Sequence, residues 1–179
     1  MIIASFVRLH PRLFLSRAQP ASLALLNLAQ CGAARASSDA AACVTTLVEC
    51  IGQPETLAVP KRLQVTISAL AAFTSGSPAL AKVAAESGAF AGLVLAVQTT
   101  DGQGRAMPGL VEAVAIAAAS IAKDSNDAAH PGMAEPLLLA LLPAMRNFMQ
   151  DRQKGAITPA LFASLSRALV RTLCFHFYA

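Results

Sequence analysis

Few side chains of this 179-residue chain are of the types that carry out catalysis. The histidines are His10, His130 and His176, and none has a Cys, Ser or carboxylate partner at a recognised catalytic spacing. Asp124, Asp127 and His130 are near enough in sequence to contact a metal ion, but Asp residues at a turn more commonly cap helices. The sequence has no phosphate-binding loop and no dinucleotide-binding glycine pattern. We therefore expect no enzyme activity, no cofactor, no metal and no small-molecule substrate.

The four cysteines show neither the paired spacing of a zinc site nor that of a disulfide-bonded hairpin. They are Cys31, Cys43, Cys50 and Cys174. Cys43 and Cys50 are seven residues apart, a spacing that puts two residues on one face of a helix. We interpret the cysteines as small buried hydrophobic residues, and reduced thiols are typical of the mitochondrial matrix or the cytosol.

The composition indicates a folded, helical protein. Hydrophobic residues make up 55% of the chain, and charged residues only 13%. A disordered chain is excluded because this much apolar surface offsets the entropy lost on folding. Much of the apolar content is alanine, the strongest helix former, so we predict an all-α fold of one domain's length.

The positive net charge of +4 is concentrated near the N-terminus. Before Asp39 the only charged side chains are Arg8, Arg12, Arg17 and Arg35. The remaining ten Lys and Arg residues balance the ten Asp and Glu residues. Nucleic-acid binding requires a cationic surface that displaces counterions, so this balanced body predicts no nucleic-acid partner.

The first 20 residues form a basic, acid-free arm with apolar residues at helical spacing. Phe6 and Phe14 belong to the apolar pattern, while Arg8 and Arg12 are four residues apart on another face. Such an arm resembles a mitochondrial presequence, and it predicts a location in the matrix or on the matrix side of the inner membrane. An ordinary amphipathic first helix is the alternative. A secretory signal is disfavoured because charged residues and Pro11 interrupt the apolar stretch.

Two sequence elements recur along the chain. The first has the form of a short Ala- and Leu-rich helix, and its copies begin 45 and 48 residues apart: Ala24–Ala29, Ala69–Thr74 and Ala117–Ala122. The second keeps nearly the same offsets, in the segments Ala42–Glu49, Gly88–Leu95 and Gly132–Leu139. Two elements that recur together indicate a structural repeat, and roughly 40–47 residues is the length of three-helix repeats.

The repeated elements resemble those of the armadillo repeat family. The resemblance implies units of a long helix, a polar turn, a short helix ending near glycine and a third helix. Ser68–Val97 fits best, with a turn at Thr74–Pro78 and a short helix at Ala79–Ser87, and Glu112–Leu142 is next. The fold implied is a short armadillo/HEAT-like α-solenoid of about three repeats plus a C-terminal helix. A generic helical bundle is the alternative.

The resemblance divides the chain into three parts. These are the arm at 1–20, a helical repeat body at 21–155, and a C-terminal helix with an aromatic tail at 156–179. The helix, Ala160–Phe177, is similar to a partial fourth unit or a cap. Prolines are expected at the helix boundaries, with Pro143 as an exception that predicts a kink, and Gly102–Gly104 indicates a flexible loop.

Members of the armadillo family bind extended peptides through a ladder of Asn side chains, each preceded by a Trp four residues earlier. Here the resemblance places Asn27, Ala72 and Ser120 at the Asn positions. The Trp positions hold Leu23, Ser68 and Ile116. This departure disfavours peptide recognition by the ladder, whereas an apolar, Ala-rich surface favours permanent packing against other subunits.

The residues that we expect at protein interfaces are Phe6, Arg8, Arg12 and Phe14 in the arm, Asn27 in the body, and Phe175, Phe177 and Tyr178 in the tail. The tail aromatics can equally fold back onto the last helix. No uninterrupted stretch of roughly 20 apolar residues predicts a membrane span, so the body is expected to be peripheral to the inner membrane at most.

These features predict a non-catalytic accessory subunit of a large mitochondrial assembly. The neutral body favours a respiratory-chain or ATP synthase complex over the mitochondrial ribosome, because subunits that contact RNA tend to be basic. The alternative is a free-standing armadillo-type adaptor that binds peptides in the mitochondrion or the cytosol. A small helical enzyme or lipid-binding protein is a weaker third option.

Overall fold

A computed structural model describes residues 18–100, 107–124, 136–137, 139–143 and 146–147. These residues are mostly helical and include no β-strand, which confirms the all-α class. The helices are α1 (Ala18–Ala29), α2 (Gly32–Arg35), α3 (Ala40–Ile51), α4 (Pro54–Leu57), α5 (Pro60–Thr74), α6 (Pro78–Glu86), α7 (Ala89–Gln98) and α8 (Pro108–Asp124). The described residues between 136 and 147 are helical as well.

Proline begins four of these helices, at Pro54, Pro60, Pro78 and Pro108. Proline suits the first helical position because the N–H it lacks would have no partner there and its φ angle is already helical. The boundaries predicted at Pro60, Pro78 and Pro108 are therefore confirmed. The chain on the C-terminal side of Pro143, at 144–145, and the loop at 102–104 lie outside the described residues.

The turns on either side of α6 use glycine in the left-handed region. Gly76 has φ 70° and lies between α5 and α6, and Gly88 has φ 84° and precedes α7. Residues with a Cβ rarely adopt this conformation, so these positions favour glycine. The predicted turn and short helix are confirmed, with the short helix shifted by one residue to Pro78–Glu86.

Helix α5 occupies the middle of the structure, because its most extensive contacts are with α8 and α1. The start of α5 lies next to the start of α8, since a Cβ added to Gly109 would be 2.8 Å from Nε2 of Gln64. These two helices therefore run in the same direction. Helix α3 contacts α5, α6 and α7, and α8 also contacts α6 and α7.

Equivalent positions of α5 and α8, 48 residues apart, have similar burial. Leu63 and Val111, Ile67 and Ala115, and Phe73 and Ile121 are all buried pairs. Ala72 and Ser120, which are also equivalent, are both half-buried. The two helices thus bury the same face against the rest of the structure.

Helix α3, helix α7 and the helical residues after 136 show a second set of equivalent positions. Leu47, Leu93 and Leu137 are fully buried, while two residues further on Glu49, Leu95 and Leu139 are exposed. The core into which the buried residues pack is rich in alanine, which lets helices approach closely. Where α7 packs against α3, a Cβ added to Gly92 would lie 3.0 Å from Cγ2 of Ile51.

No single helix of the described chain is both long and apolar enough to cross a membrane. Helices α6 and α7 reach that length and apolarity only when taken together, and they are bent by 72° at their junction.

Candidate interaction surface

The residues at the predicted ladder positions lie on α5 and on two helices that each contact it, α1 and α8. Leu23 and Asn27 are exposed on α1, Ser68 and Ala72 are half-buried on α5, and on α8 Ile116 is exposed and Ser120 is half-buried. On each helix the two residues are four apart and share a face. Because α5 packs against both α1 and α8, we treat these six residues as one surface and call it the row surface.

The row surface has no charged side chain among its six residues. Leu23 is 50% exposed and Ile116 is 41% exposed, so both ends of the surface present a large apolar side chain. Asn27 adds an exposed amide, which can both donate and accept hydrogen bonds. This combination suits apolar packing with a few hydrogen bonds.

Three further leucines are exposed, one on α7 and two in the helical residues that follow 136. Leu95, Leu139 and Leu142 are 45%, 62% and 47% exposed. We call them the exposed leucines. None of them is among the interface residues predicted from the sequence. The repeat alignment nevertheless predicts exposure at two of these positions. Leu95 and Leu139 align with Glu49, and glutamate is almost never buried.

Arg35 connects two parts of the helical body. Its Nη1 donates a hydrogen bond of 2.8 Å to the backbone carbonyl of Ser75, in the turn after α5. Arg35 therefore belongs structurally to the body, although by sequence it is the fourth of the early arginines. The positive charge of the arm itself comes from Arg8, Arg12 and Arg17.

Two of the cysteines are buried in α3, as predicted. Burial raises the pKa of the Cys50 thiol to about 11, and the charge of Glu49 acts in the same direction. Burial, and then the charge of Asp39, raises the pKa of Cys43. Both thiols therefore stay neutral near pH 7, and a neutral thiol is a weak nucleophile.

The interpretation of all cysteines as buried is wrong for Cys31, which is exposed. Cys31 follows α1 at the short connection to α2, where the chain turns at the surface instead of packing into the core. Cys174 lies outside the described residues.

Within the described residues there is no group of three or more His, Cys, Asp or Glu side chains that could hold a metal ion. Asp124 ends α8, while Asp127 and His130 lie outside the described part of the chain. Of the predicted interface residues, the structure describes Asn27. The others, in the arm and the tail, fall outside it: Phe6, Arg8, Arg12, Phe14, Phe175, Phe177 and Tyr178.

Comparison with models of known protein families finds no match for this chain. No curated protein and no solved structure matches it either.

Proposed function

We propose that this protein is a non-catalytic structural subunit of a large mitochondrial assembly and acts as a helical-repeat scaffold for other subunits. A respiratory-chain or ATP synthase complex is the first candidate for the assembly, and the mitochondrial ribosome is the second. The proposal combines the basic arm of the sequence with the uncharged surfaces of the helical body.

The scaffold that we propose is an armadillo-like α-solenoid of about three repeats with a C-terminal helix. The order of helices supports it, because a long, a short and a third helix recur as α1–α3 and as α5–α7. The packing supports it as well, since the long helix α5 contacts both other long helices, α1 and α8, and α3 contacts α7. In a solenoid, equivalent helices of neighbouring units stack in this way.

The uncharged row surface supports the scaffold function most directly. Depletion of charge at the centre of a contact surface is typical of protein–protein interfaces, and obligate interfaces are the more apolar ones. The exposed leucines Leu95, Leu139 and Leu142 add further candidate contacts. Large exposed apolar side chains favour a partner that covers them when they lie together in a patch.

A free-standing adaptor is the alternative function, and the exposure of Asn27 favours it. An adaptor would bind an extended peptide through the Asn27 amide and would be stable alone. An obligate subunit would instead depend on Leu23 and Ile116 and would be unstable without its partners.

The two functions can be separated by native electrophoresis of solubilised mitochondria, followed by mass spectrometry of the co-migrating proteins. We expect the full chain to migrate in a large complex, and we expect Ile116→Asp to release it. Val59→Asp is the matched control, because Val59 is an exposed apolar residue outside the row surface, at the N-cap position of α5. Asn27→Ala is expected to leave the complex intact.

Migration of the wild-type chain only as a free monomer would refute the subunit proposal. Loss of binding to a peptide partner in Asn27→Ala, with Ile116→Asp unaffected, would favour the adaptor. The mitochondrial location is tested by import of Arg8→Gln/Arg12→Gln, with the exposed body residue Lys61→Gln as the control.

A further inference from the structure

Two large apolar side chains are exposed next to each other on one helical stretch, residues 139–143. Leu139 is 62% exposed and Leu142 is 47% exposed. Residues three apart on a helix are neighbours on one face, so these two leucines form a contiguous apolar patch. The other large apolar side chains that are exposed on the described chain lie on separate elements: Leu23, Val59, Leu95 and Ile116. Single exposed apolar residues are ordinary, whereas contiguous ones indicate an interaction site.

The same stretch is also apolar on the side that faces the protein. Leu141 is 1% exposed and belongs to the hydrophobic core, as does Leu137 four residues earlier. On the outer side Pro143 is exposed beside Leu139, since residues four apart on a helix share a face. All five side chains from 139 to 143 are therefore apolar. A helix that is apolar on every side is normally covered on every side, so the outer face favours a partner.

Arg146 places a positive charge close to the outer face. It is helical and exposed, and it follows Leu142 by four residues. Even a fully extended chain spans at most about 14 Å over four residues, so the guanidinium stays near the two leucines. No hydrogen bond or ion pair joins Arg146 to another residue of the described chain. A guanidinium binds a carboxylate through two parallel hydrogen bonds, so the complementary group is an Asp or Glu side chain.

We propose that this outer face is a docking site for another protein of the assembly, one that presents an apolar segment with an adjacent carboxylate. The residues of the site are Leu139, Leu142, Pro143 and Arg146, and we call them the docking patch. Its apolar side chains pack against the segment, and the guanidinium pairs with the carboxylate. This inference rests on the proposed scaffold function. It adds a partner chemistry that the row surface does not specify, because the six residues of that surface carry no charge.

An anionic membrane surface fits the docking patch less well than a protein does. Peripheral binding to anionic lipid relies on clusters of Lys and Arg beside the apolar residues. The docking patch supplies one basic side chain, Arg146. One guanidinium is sufficient for one carboxylate, so the charge of the patch matches a single acidic side chain of a protein.

Zero-length cross-linking tests the carboxylate contact in the native complex. In the full chain with Arg146→Lys, a carbodiimide joins the amine at position 146 only to a carboxylate that touches it. We expect an amide bond from position 146 to an Asp or Glu of another protein, located by mass spectrometry of the excised complex. The exposed Lys61 is the internal control and is expected not to link to that residue. A link only to a second copy of this chain, or no link at position 146, would overturn the proposal.

Native electrophoresis tests whether the docking patch contributes to assembly. We expect Leu139→Asp and Arg146→Glu to lower the fraction of the chain in the complex by about tenfold or more, because each leaves an unpaired charge in the contact. Arg146→Lys should retain the complex, since it keeps the positive charge. The matched controls are Val59→Asp, another exposed apolar residue, and Lys61→Glu, another exposed cation. Both should migrate like the wild type.

The purified variants should have the Tm of the wild type, because the replaced side chains are exposed. Retention of Leu139→Asp and Arg146→Glu in the complex would overturn the docking patch and leave the subunit proposal intact. The subunit proposal itself fails if the wild-type chain migrates only as a free monomer. Flotation with vesicles of equal parts phosphatidylcholine and cardiolipin tests the lipid alternative, and we expect no binding. Vesicle binding that Leu139→Asp abolishes would assign the patch to a membrane and overturn the protein partner.

Discussion

Replacement of Gly92 by alanine tests how closely α7 packs against α3. The new Cβ would lie 3.0 Å from Cγ2 and 3.6 Å from Cβ of Ile51. Favourable contacts between carbon atoms have separations of about 3.5–4.0 Å, so one helix must move by a few tenths of an ångström. Ile51 is fully buried and has little room in which to adjust.

The expected change in the free energy of unfolding is the difference between two opposing effects. Inserting a methyl group into a well-packed core costs about 1–3 kcal/mol. Alanine in place of glycine within a helix contributes about 1 kcal/mol in the other direction. The free energy of unfolding is therefore expected to fall by up to about 2 kcal/mol.

Gly32→Ala is the matched control, because an added Cβ at Gly32 has no atom within 4 Å and the residue is also helical. Here only the backbone effect operates, and stability should be unchanged or slightly increased. In urea unfolding followed by circular dichroism at 222 nm, the free energy of unfolding of Gly92→Ala should be lower than that of Gly32→Ala by about 1–3 kcal/mol.

A double-mutant cycle identifies the contact that causes the difference. In an Ile51→Ala background the methyl group at position 92 has space, so the penalty of Gly92→Ala should disappear. The close packing of α3 and α7 would be refuted if Gly92→Ala were as stable as Gly32→Ala. It would also be refuted if Gly92→Ala still lowered the free energy of unfolding in the Ile51→Ala background.

Two further predictions concern the backbone and the buried thiols. Gly88→Ala should lower the free energy of unfolding by about 1 kcal/mol, because φ is 84° there while nothing lies within 4 Å of an added Cβ. Gly88→Asn should lower it less in the same urea titration, and an equal loss would contradict the conformational explanation. The raised pKa of Cys50 predicts that stability falls as the pH rises from 9 to 11, because the unfolded chain releases the thiol proton first. Unfolding titrations should show a smaller fall in Cys50→Ala than in the wild type, by up to about 2 kcal/mol, while the exposed Cys31→Ala should follow the wild type.

Local sequence signals predicted the helix boundaries well. Pro60, Pro78 and Pro108 each begin a helix, and Gly88 follows the short helix α6 as the repeat pattern required. These signals work because proline fixes the φ angle at its own position and glycine permits positive φ angles, whatever the surrounding structure. The number of residues between successive long helices was also predictable, since equivalent residues recur in the sequence itself.

The exposure of individual side chains was harder to predict. Helices rich in alanine have little contrast between their faces, so the apolar pattern alone does not show which residues contact a neighbour. Cys31 was expected in the core and is exposed, and Leu95 belongs to an apolar helix yet is 45% exposed.

The sequence by itself determined the all-α class, the helix boundaries marked by proline and glycine, and the spacing of the long helices, because each follows from local backbone chemistry or from repetition along the chain. Only the tertiary structure decided that α5 lies between α1 and α8 and that Leu23 and Ile116 face solvent. The reason is physical: exposure depends on the neighbours that pack around a helix, and those neighbours are distant in sequence.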